Sequence, residues 1–402
     1  MAGKRVLTAR LTVNMIAADD VYTTDDQLLF TEGTVLTEEI IDALKDHSVF
    51  AIRIKVGEDG KTPLMGEPPA EGEAENTENT ENAESTESTE VDYSPAEPDY
   101  SNLAAADDEN YYDAVRNSAD YKEFHATFLK TIDKMKGVFN RVVMQNEKID
   151  SDNILADVEE VVSKSRNSLH ILDMLQCMKG FDDVTYVHSL NVALLSNMIG
   201  KIVFPKMSKE DLDVLTLSGL LHDIGKMMIP DEVLQKKGHL TIAEFNVIKT
   251  HVLHGSNILK GMDLDPRIAE VAMRHHERCD GSGYPGGYHD NQISPFAKIV
   301  AIADTYDAMT SDRVYRKAIC PFDVIHMFER EGLVKYEVEY LLPFLETAVQ
   351  AYMNIEVHLT TDEIGKVVMV NTDELSKPVV KVGSVYYDLT KERSISIDRI
   401  ID

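Results

Sequence analysis

Leu220-Leu221-His222-Asp223-Ile224-Gly225-Lys226 decides how this chain reads, and His275-His276-Glu277-Arg278-Cys279-Asp280-Gly281-Ser282-Gly283-Tyr284-Pro285 answers it. In the first stretch an imidazole and a carboxylate are neighbours at the end of an apolar helical run, with a lysine one turn on. In the second, two adjacent histidines close a helix and lead into a glycine-rich loop. Neighbours on a helix point about 100° apart, because one turn takes 3.6 residues. A His-Asp or His-His pair is therefore badly placed to chelate one ion, but it can serve two ions side by side. Two-metal sites mostly carry hydrolytic phosphate chemistry.

Working outward, the same helical region holds His188, His251 and Asp304. His188 lies among Leu190, Val192, Leu194 and Leu195, and by itself reads as a core histidine with a hydrogen-bond partner; so does His251. His222-Asp223 alone could be a buried ion pair. Asp304, between Ala303 and Thr305 in an Ala- and Ile-rich run, is a costly residue to bury without compensation. Metal coordination would offset that cost. Taken together these groups offer five imidazoles and two carboxylates, a mixed N/O donor set suited to Fe, Mn or Zn.

At this point the motifs carry a resemblance. His188, His222-Asp223 and Asp304 resemble the signature of the HD superfamily of metal-dependent phosphohydrolases. The Leu221–Lys226 stretch with the His275–Pro285 stretch resembles the HD-GYP subfamily, over a match running from Tyr186 to Ala318 that includes Arg313-Val314-Tyr315-Arg316. The resemblance implies a bacterial cytoplasmic signalling enzyme, a phosphodiesterase that opens cyclic di-GMP to pGpG and in some members continues to GMP. It also implies two divalent metal ions, Fe or Mn first, with Zn and Ni as alternatives. Asp223 would bridge them, one ion taking His188, His222 and Asp304 and the other His251, His275 and His276. A bridging hydroxide would attack phosphorus in line. Asp223 and Lys226 would be catalytic, and Lys226, Tyr284, Arg313 and Arg316 would bind substrate. Members with a third metal carry a glutamate four residues before the first histidine; here that position is Val184, flanked by Asp182 and Asp183, so two ions are expected. Cys279 stands where an aromatic residue is common and should alter packing only. Asp307 either supports a ligand or caps its helix. A hydrolase of cyclic GMP-AMP, or a receptor or adaptor that binds a cyclic dinucleotide without turnover, are the competing readings.

The rest of the chain frames this centre. Its 402 residues are 43% hydrophobic and 27% charged, ordinary for a soluble protein with room for several domains. No apolar run approaches the roughly 20 residues of a membrane span, and no signal peptide is visible. Three cysteines without pairing motifs read as reduced thiols. The net charge of −30 argues against binding a nucleic-acid polymer or an anionic membrane. Residues 62–115 hold 16 Asp and Glu and no Lys or Arg. An anionic substrate must therefore be drawn by local charge.

The expected fold is mainly α: an HD-type helical bundle with a small N-terminal α+β module, a disordered acidic linker and a short C-terminal β appendix. Residues 1–60 form the module, with a strand at Arg5–Val13, a hairpin about Asp25-Asp26, a helix capped by Thr37 and a strand at Val49–Val56. Without a histidine cluster or glycine loop, it reads as an interaction or regulatory module for a signalling partner. Residues 61–115 are the linker, too polar to offset its ordering entropy. Residues 116–180 hold two long amphipathic helices, 118–146 and 154–178. Tyr121, Phe124, Phe128, Ile132, Met135, Phe139 and Val142 recur at spacings of three and four, which suits packing on the next domain or a homodimer seam through residues 118–178. Residues 181–352 are the catalytic bundle, with caps at Ser208, Thr241, Asp265-Pro266 and Ser294-Pro295. Residues 353–402 are the β appendix, with strands at Ile355–Leu359, Gly365–Val370, Pro378–Tyr387 and Ser394–Ile397.

Overall fold

A computed structural model describes residues 3–7, 11–22, 28–46, 51–57, 64–66, 111–178, 184–236, 238, 240–311 and 318–401. The chain forms two compact units, Met1–Asp107 and Asp108–Asp402. Strands β1 (Gly3–Leu7), β2 (Val21–Tyr22) and β3 (Leu28–Phe30), helix α1 (Glu38–Asp46) and strand β4 (Ala51–Lys55) make up the first. β1 pairs antiparallel with β4 from Gly3↔Lys55 to Leu7↔Ala51, and β2 pairs with β3. The expected first strand is shorter than Arg5–Val13, since Leu11–Val13 is not in strand. Thr37 Oγ1 accepts the Ile40 amide at 3.3 Å, as expected of a cap. The hairpin tip at Asp25-Asp26 and most of the acidic linker lie outside the described residues. The linker's last residues, from Tyr111, already belong to a helix.

The second unit opens with α2 (Tyr111–Asn117), α3 (Ala119–Gln145), α4 (Ser151–Ser163) and α5 (Ser168–Cys177). One helix was expected over 154–178, and two are found. Asn167 interrupts it because its side chain accepts the His170 amide at 2.9 Å and starts a new helix. α3 matches the sequence closely, running from a Ser118 cap to a left-handed Asn146. Its stripe of Phe124, Phe128, Ile132, Met135, Phe139 and Val142 is buried in one cluster with Ile154, Val158, Leu190, Leu194, Leu220 and Leu221. The stripe thus packs within the chain, the first of its two readings.

The bundle continues with α6 (Val184–Val203), α7 (Lys209–Leu221), α8 (Asp231–Leu234), α9 (Ile242–Lys249), α10 (His251–Lys260) and α11 (Pro266–Arg274). Then come α12 (Pro295–Thr310), α13 (Pro321–Met327), α14 (Leu333–Lys335) and α15 (Val338–Gln350). The expected caps are all present. Ser208 accepts from Asp211, Thr241 and Glu244 form a reciprocal capping box, Asp265 accepts from Arg267, and Ser294 accepts from Ala297. Every residue of α6 from His188 to Gly200 is buried, so α6 is the central helix, mostly apolar with His188, Ser189, Asn191, Ser196 and Asn197 as its buried polar residues. α7 and α12 lie against it.

Strands β5 (Glu356–Leu359), β6 (Ile364–Met369), β7 (Val379–Val382), β8 (Val385–Asp388) and β9 (Ile397–Ile400) close the chain. They form one antiparallel sheet in the order β8-β7-β6-β5-β9. The strand expected over Pro378–Tyr387 is a hairpin turning at Gly383, whose φ of +58° suits glycine. β9 begins at Ile397, later than expected. Val357, Leu359, Val367 and Val380 share a core with Phe322, Val349 and Tyr352 of the bundle.

One close approach sets the geometry of the centre. After His222 the chain turns through a single 3₁₀ segment, Ile224–Met228. A Cβ on Gly225 would lie 2.0 Å from the His251 carbonyl oxygen and 2.4 Å from the Gly255 nitrogen. Only glycine lets this turn reach α10. Gly225→Ala should force α10 away and cost about 1–3 kcal/mol. Thermal unfolding would register this as a Tm several degrees lower, and an unchanged Tm would contradict the packing argument.

Candidate metal centre

Five helices deliver the predicted residues to one point. His188 lies within α6, His222 follows the end of α7, His251 opens α10, His275 follows α11, and Asp304 lies within α12. His222, His251 and His275 have no exposed surface, and His188, Asp223 and Asp304 are buried. His276 is half-buried.

Asp223 faces two ways. Its Oδ1 lies 3.2 Å from His251 Nε2 and 3.8 Å from His275 Nε2. Its Oδ2 lies 3.2 Å from His222 Nε2 and 3.7 Å from His188 Nε2, and it accepts a hydrogen bond from Lys226. Asp304 completes the second group, with Oδ1 at 3.1 Å from His188 Nε2 and 3.9 Å from His222 Nε2. Its Oδ2 reaches to 3.7 Å from His276 Nδ1. Two clusters result, Asp223 with His251, His275 and His276, and His188 with His222 and Asp304. Within each, the possible ligand atoms lie within 4.8 Å of one another.

The ring orientations have local causes. His222 Nδ1 is 2.7 Å from the Gly219 carbonyl, His251 Nδ1 2.7 Å from that of Ile248, and His275 Nδ1 3.2 Å from that of Val271. A carbonyl only accepts, so Nδ1 carries the proton and Nε2 presents a lone pair. All three histidines lie at helix ends, where carbonyls of the last turn are free to take a further donor. His188 lies inside α6 and lacks that option. Its Nδ1 donates instead to Asp307 Oδ2 at 2.6 Å. Asp307 Oδ1 in turn accepts from Asn191 Nδ2 at 2.8 Å and from Ser311 Oγ at 3.1 Å. Of the two roles open to Asp307, the side chain takes the supporting one, while its backbone carbonyl caps α12 by accepting the Ser311 amide.

Burial disfavours protonation of His251, His275 and His276, while Asp223 and Asp304 are held in the charged form. Burial pushes His275 down to about 3 and, with His275 beside it, holds His276 well below the ordinary histidine range. Burial also lowers His251 against the pull of Asp223. Asp223 is pushed up by burial, yet Lys226, His222 and His251 together hold its carboxyl well below the usual range. Asp304 is held low in the same way, by His188 and His276. His222 Nε2 and Asp223 Oδ1 make no hydrogen bond among the described residues, although both are buried. Inward-facing neutral imidazoles, charged carboxylates and orphaned lone pairs are what a divalent metal requires of its ligands. The residues present fit one.

The glycine-rich loop folds back over this centre. Glu277 is buried and accepts the Gly286 amide at 2.6 Å and the Tyr288 amide at 3.0 Å. Asp280 Oδ1 accepts the Ser282 amide at 2.9 Å. The loop places the Tyr284 ring on that of His276, centroids 4.6 Å apart and 27° between planes. Burial, then Asp304 and Asp223, raise the Tyr284 phenol. Arg313 and Arg316 lie outside the described residues, as do Asp182 and Asp183. Glu277 was quoted in the sequence motif without a role. Gly225 was likewise quoted without a role, and Asn191 and the carbonyl anchors of the histidines were not foreseen, for a local sequence does not announce which helix will face it.

A family model described as HD domain matches residues 151–339. That stretch, just under half of the chain, is similar to an HD domain. The sequence is also 32% identical over 245 residues to a cyclic di-GMP phosphodiesterase of Pseudomonas aeruginosa, covering 60% of this chain and 58% of that protein. It is 37% identical over 171 residues to a cyclic di-GMP phosphodiesterase response regulator of Xanthomonas campestris, 41% of this chain and 43% of that one. A 3′3′-cGAMP-specific phosphodiesterase of Vibrio cholerae is 33% identical over 174 residues, 43% of this chain and 38% of that one. The chain thus spans about half the length, or less, of these curated relatives. HD-domain phosphohydrolases depend on metal, and the histidine and aspartate clusters found in this chain are in keeping with that.

Two outcomes follow from this geometry. Asp307→Asn should weaken metal binding by about 10–100-fold, the usual loss when a ligand's hydrogen-bonded support is removed; metal content after dialysis against a graded chelator would measure it. The second concerns the metal-free protein. Below the ordinary value of 6.5, His275 is protonated in the unfolded chain and neutral in the folded one down to about 3. Unfolding then takes up a proton, so stability is full above pH 6.5 and falls towards pH 3. Tm by circular dichroism across that window should decline steadily, and the decline should shrink in His275→Gln.

Proposed function

We propose that the chain is a metal-dependent phosphodiesterase that hydrolyses cyclic di-GMP to pGpG, continuing to GMP where the linear product is retained, in bacterial second-messenger signalling. The observation that carries this reading is Asp223, a single carboxylate with one oxygen turned to each of two imidazole clusters. Two divalent ions, Fe or Mn by donor set with Zn or Ni as alternatives, would be held by His188, His222 and Asp304 and by His251, His275 and His276, with Asp223 between them. Such ions, when bound, supply Lewis acidity towards phosphate oxygen and a water acidified enough to act as nucleophile near neutral pH.

The chain's own residues do the remaining work. Lys226, beside Asp223 Oδ2, would meet a non-bridging phosphate oxygen as negative charge develops on it. Tyr284, stacked on His276, would close one wall of the pocket against water. Arg313 and Arg316 are proposed to hold guanine and phosphate, for which a guanidinium fork is suited. Residues 1–60 are proposed as a docking module for a signalling partner. A cytoplasmic setting goes with such a substrate, and among the described residues no helix is long and apolar enough to cross a membrane.

The Vibrio relative's named specificity makes cyclic GMP-AMP the substrate to compare. Protein purified without oxygen should hold about two metals per chain and convert cyclic di-GMP to pGpG with Mn or Fe(II), resolved by chromatography. Asp223→Ala should abolish turnover, and Lys226→Ala should lower kcat by about 10²-fold, the scale for losing one charge-stabilising group. Faster hydrolysis of cyclic GMP-AMP would change the substrate and keep the chemistry. Bound metal with no turnover on either dinucleotide would make the protein a receptor or adaptor.

A further inference from the structure

α9 runs along the surface with no buried residue and ends at Lys249, two positions before His251. The Lys249 ammonium lies over two aromatic faces, 4.7 Å from the Phe245 centroid and 5.0 Å from that of Tyr284. Tyr284 itself stacks on His276. A cation is therefore held one ring outward from the metal centre. Among the described residues Lys249 makes no ion pair with a carboxylate. Glu244, on the same helix, is taken by Lys236 at 2.6 Å and by Thr241. An unneutralised lysine at the mouth of a buried site stands out in a chain of net charge −30. Ring faces attract the ammonium and fix its place without neutralising it, so its charge and N–H donors remain available.

The proposed substrate has two phosphodiester groups on opposite sides of one ring. Asp223, Lys226 and their surroundings deal with the one that reacts. We propose that Lys249 binds the second phosphate, the one not being cleaved, and so selects cyclic dinucleotides over simple diesters. This rests on the phosphodiesterase reading above. A compact ammonium is a good point-charge partner for a phosphate oxygen, and the rings of Phe245 and Tyr284 hold it in place for that pairing.

Lys249→Met keeps the alkyl stem against both rings and removes only the charge. Its KM for cyclic di-GMP should rise about 10–100-fold, the scale of one charged hydrogen bond, with kcat essentially unchanged. Turnover of bis(4-nitrophenyl) phosphate, a diester with a single phosphate, should be unaffected, and Lys249→Arg should recover most of the KM. An unchanged KM in Lys249→Met would overturn the inference. So would an equal loss on both substrates, because the residue would then act through the fold. Wild-type protein that hydrolyses bis(4-nitrophenyl) phosphate but neither hydrolyses nor binds cyclic di-GMP would overturn the substrate reading, and this inference with it.

Discussion

Asp223 is a charge held almost entirely out of water, and the second unit is built around the means of keeping it there. Moving a carboxylate into such surroundings costs several kcal/mol unless opposite charge and hydrogen bonds return most of it. Lys226 supplies part of the return from the next turn of chain. Burial holds His251, His275 and His276 below the ordinary histidine range, so as cations these three return little and a deficit remains. In the proposed function that deficit is what metal ions would fill, and it explains why nitrogen and oxygen lone pairs are left unpaired at the centre of the bundle.

The scaffold meets this demand with helix ends. Three histidines anchor Nδ1 on a carbonyl of the turn just behind them, so ring direction is fixed by the place where the helix stops. Such a ligand is as rigid as the helix that carries it. His188, inside α6, needs Asp307 and Asn191 for the same purpose. Gly225 then lets the chain after His222 press against α10, where any side chain would collide with backbone. The glycine-rich loop is less a free lid than an extension of this framework, since buried Glu277 ties its amides back to the histidine segment.

Charge is organised at two scales. About half of the chain's acidic excess lies in residues 62–115, which hold no basic residue at all, and it repels anions at long range. Near the centre the relevant charges are few and placed: Lys226 against Asp223, and Lys249 over Tyr284 and Phe245. At physiological ionic strength fields from distant exposed charges are screened beyond about 8 Å, so these neighbours outweigh the total.

Much of this was legible in the sequence, because the signals are local. Helix caps at Ser208, Thr241, Asp265 and Ser294 mark boundaries through bonds three residues long or shorter. The spacing of apolar residues identified α3 and its buried face. The pairs His222-Asp223 and His275-His276 pointed to two ions, because neighbouring helical residues diverge. What the sequence could not show was any relation set by distance in space. It left α3 undecided between packing and a dimer seam, since an apolar stripe does not name what covers it. The break at Asn167 was missed because a cap inside an apolar pattern is a weak signal beside the pattern itself. Asp307 could be assigned to His188, and Lys249 to the rings of Phe245 and Tyr284, only once α6, α9, α12 and the glycine-rich loop were seen together. The residue types and their local order determined which chemistry this chain can perform. Tertiary packing decided which lone pairs face inward, because that depends on contacts between helices far apart in sequence.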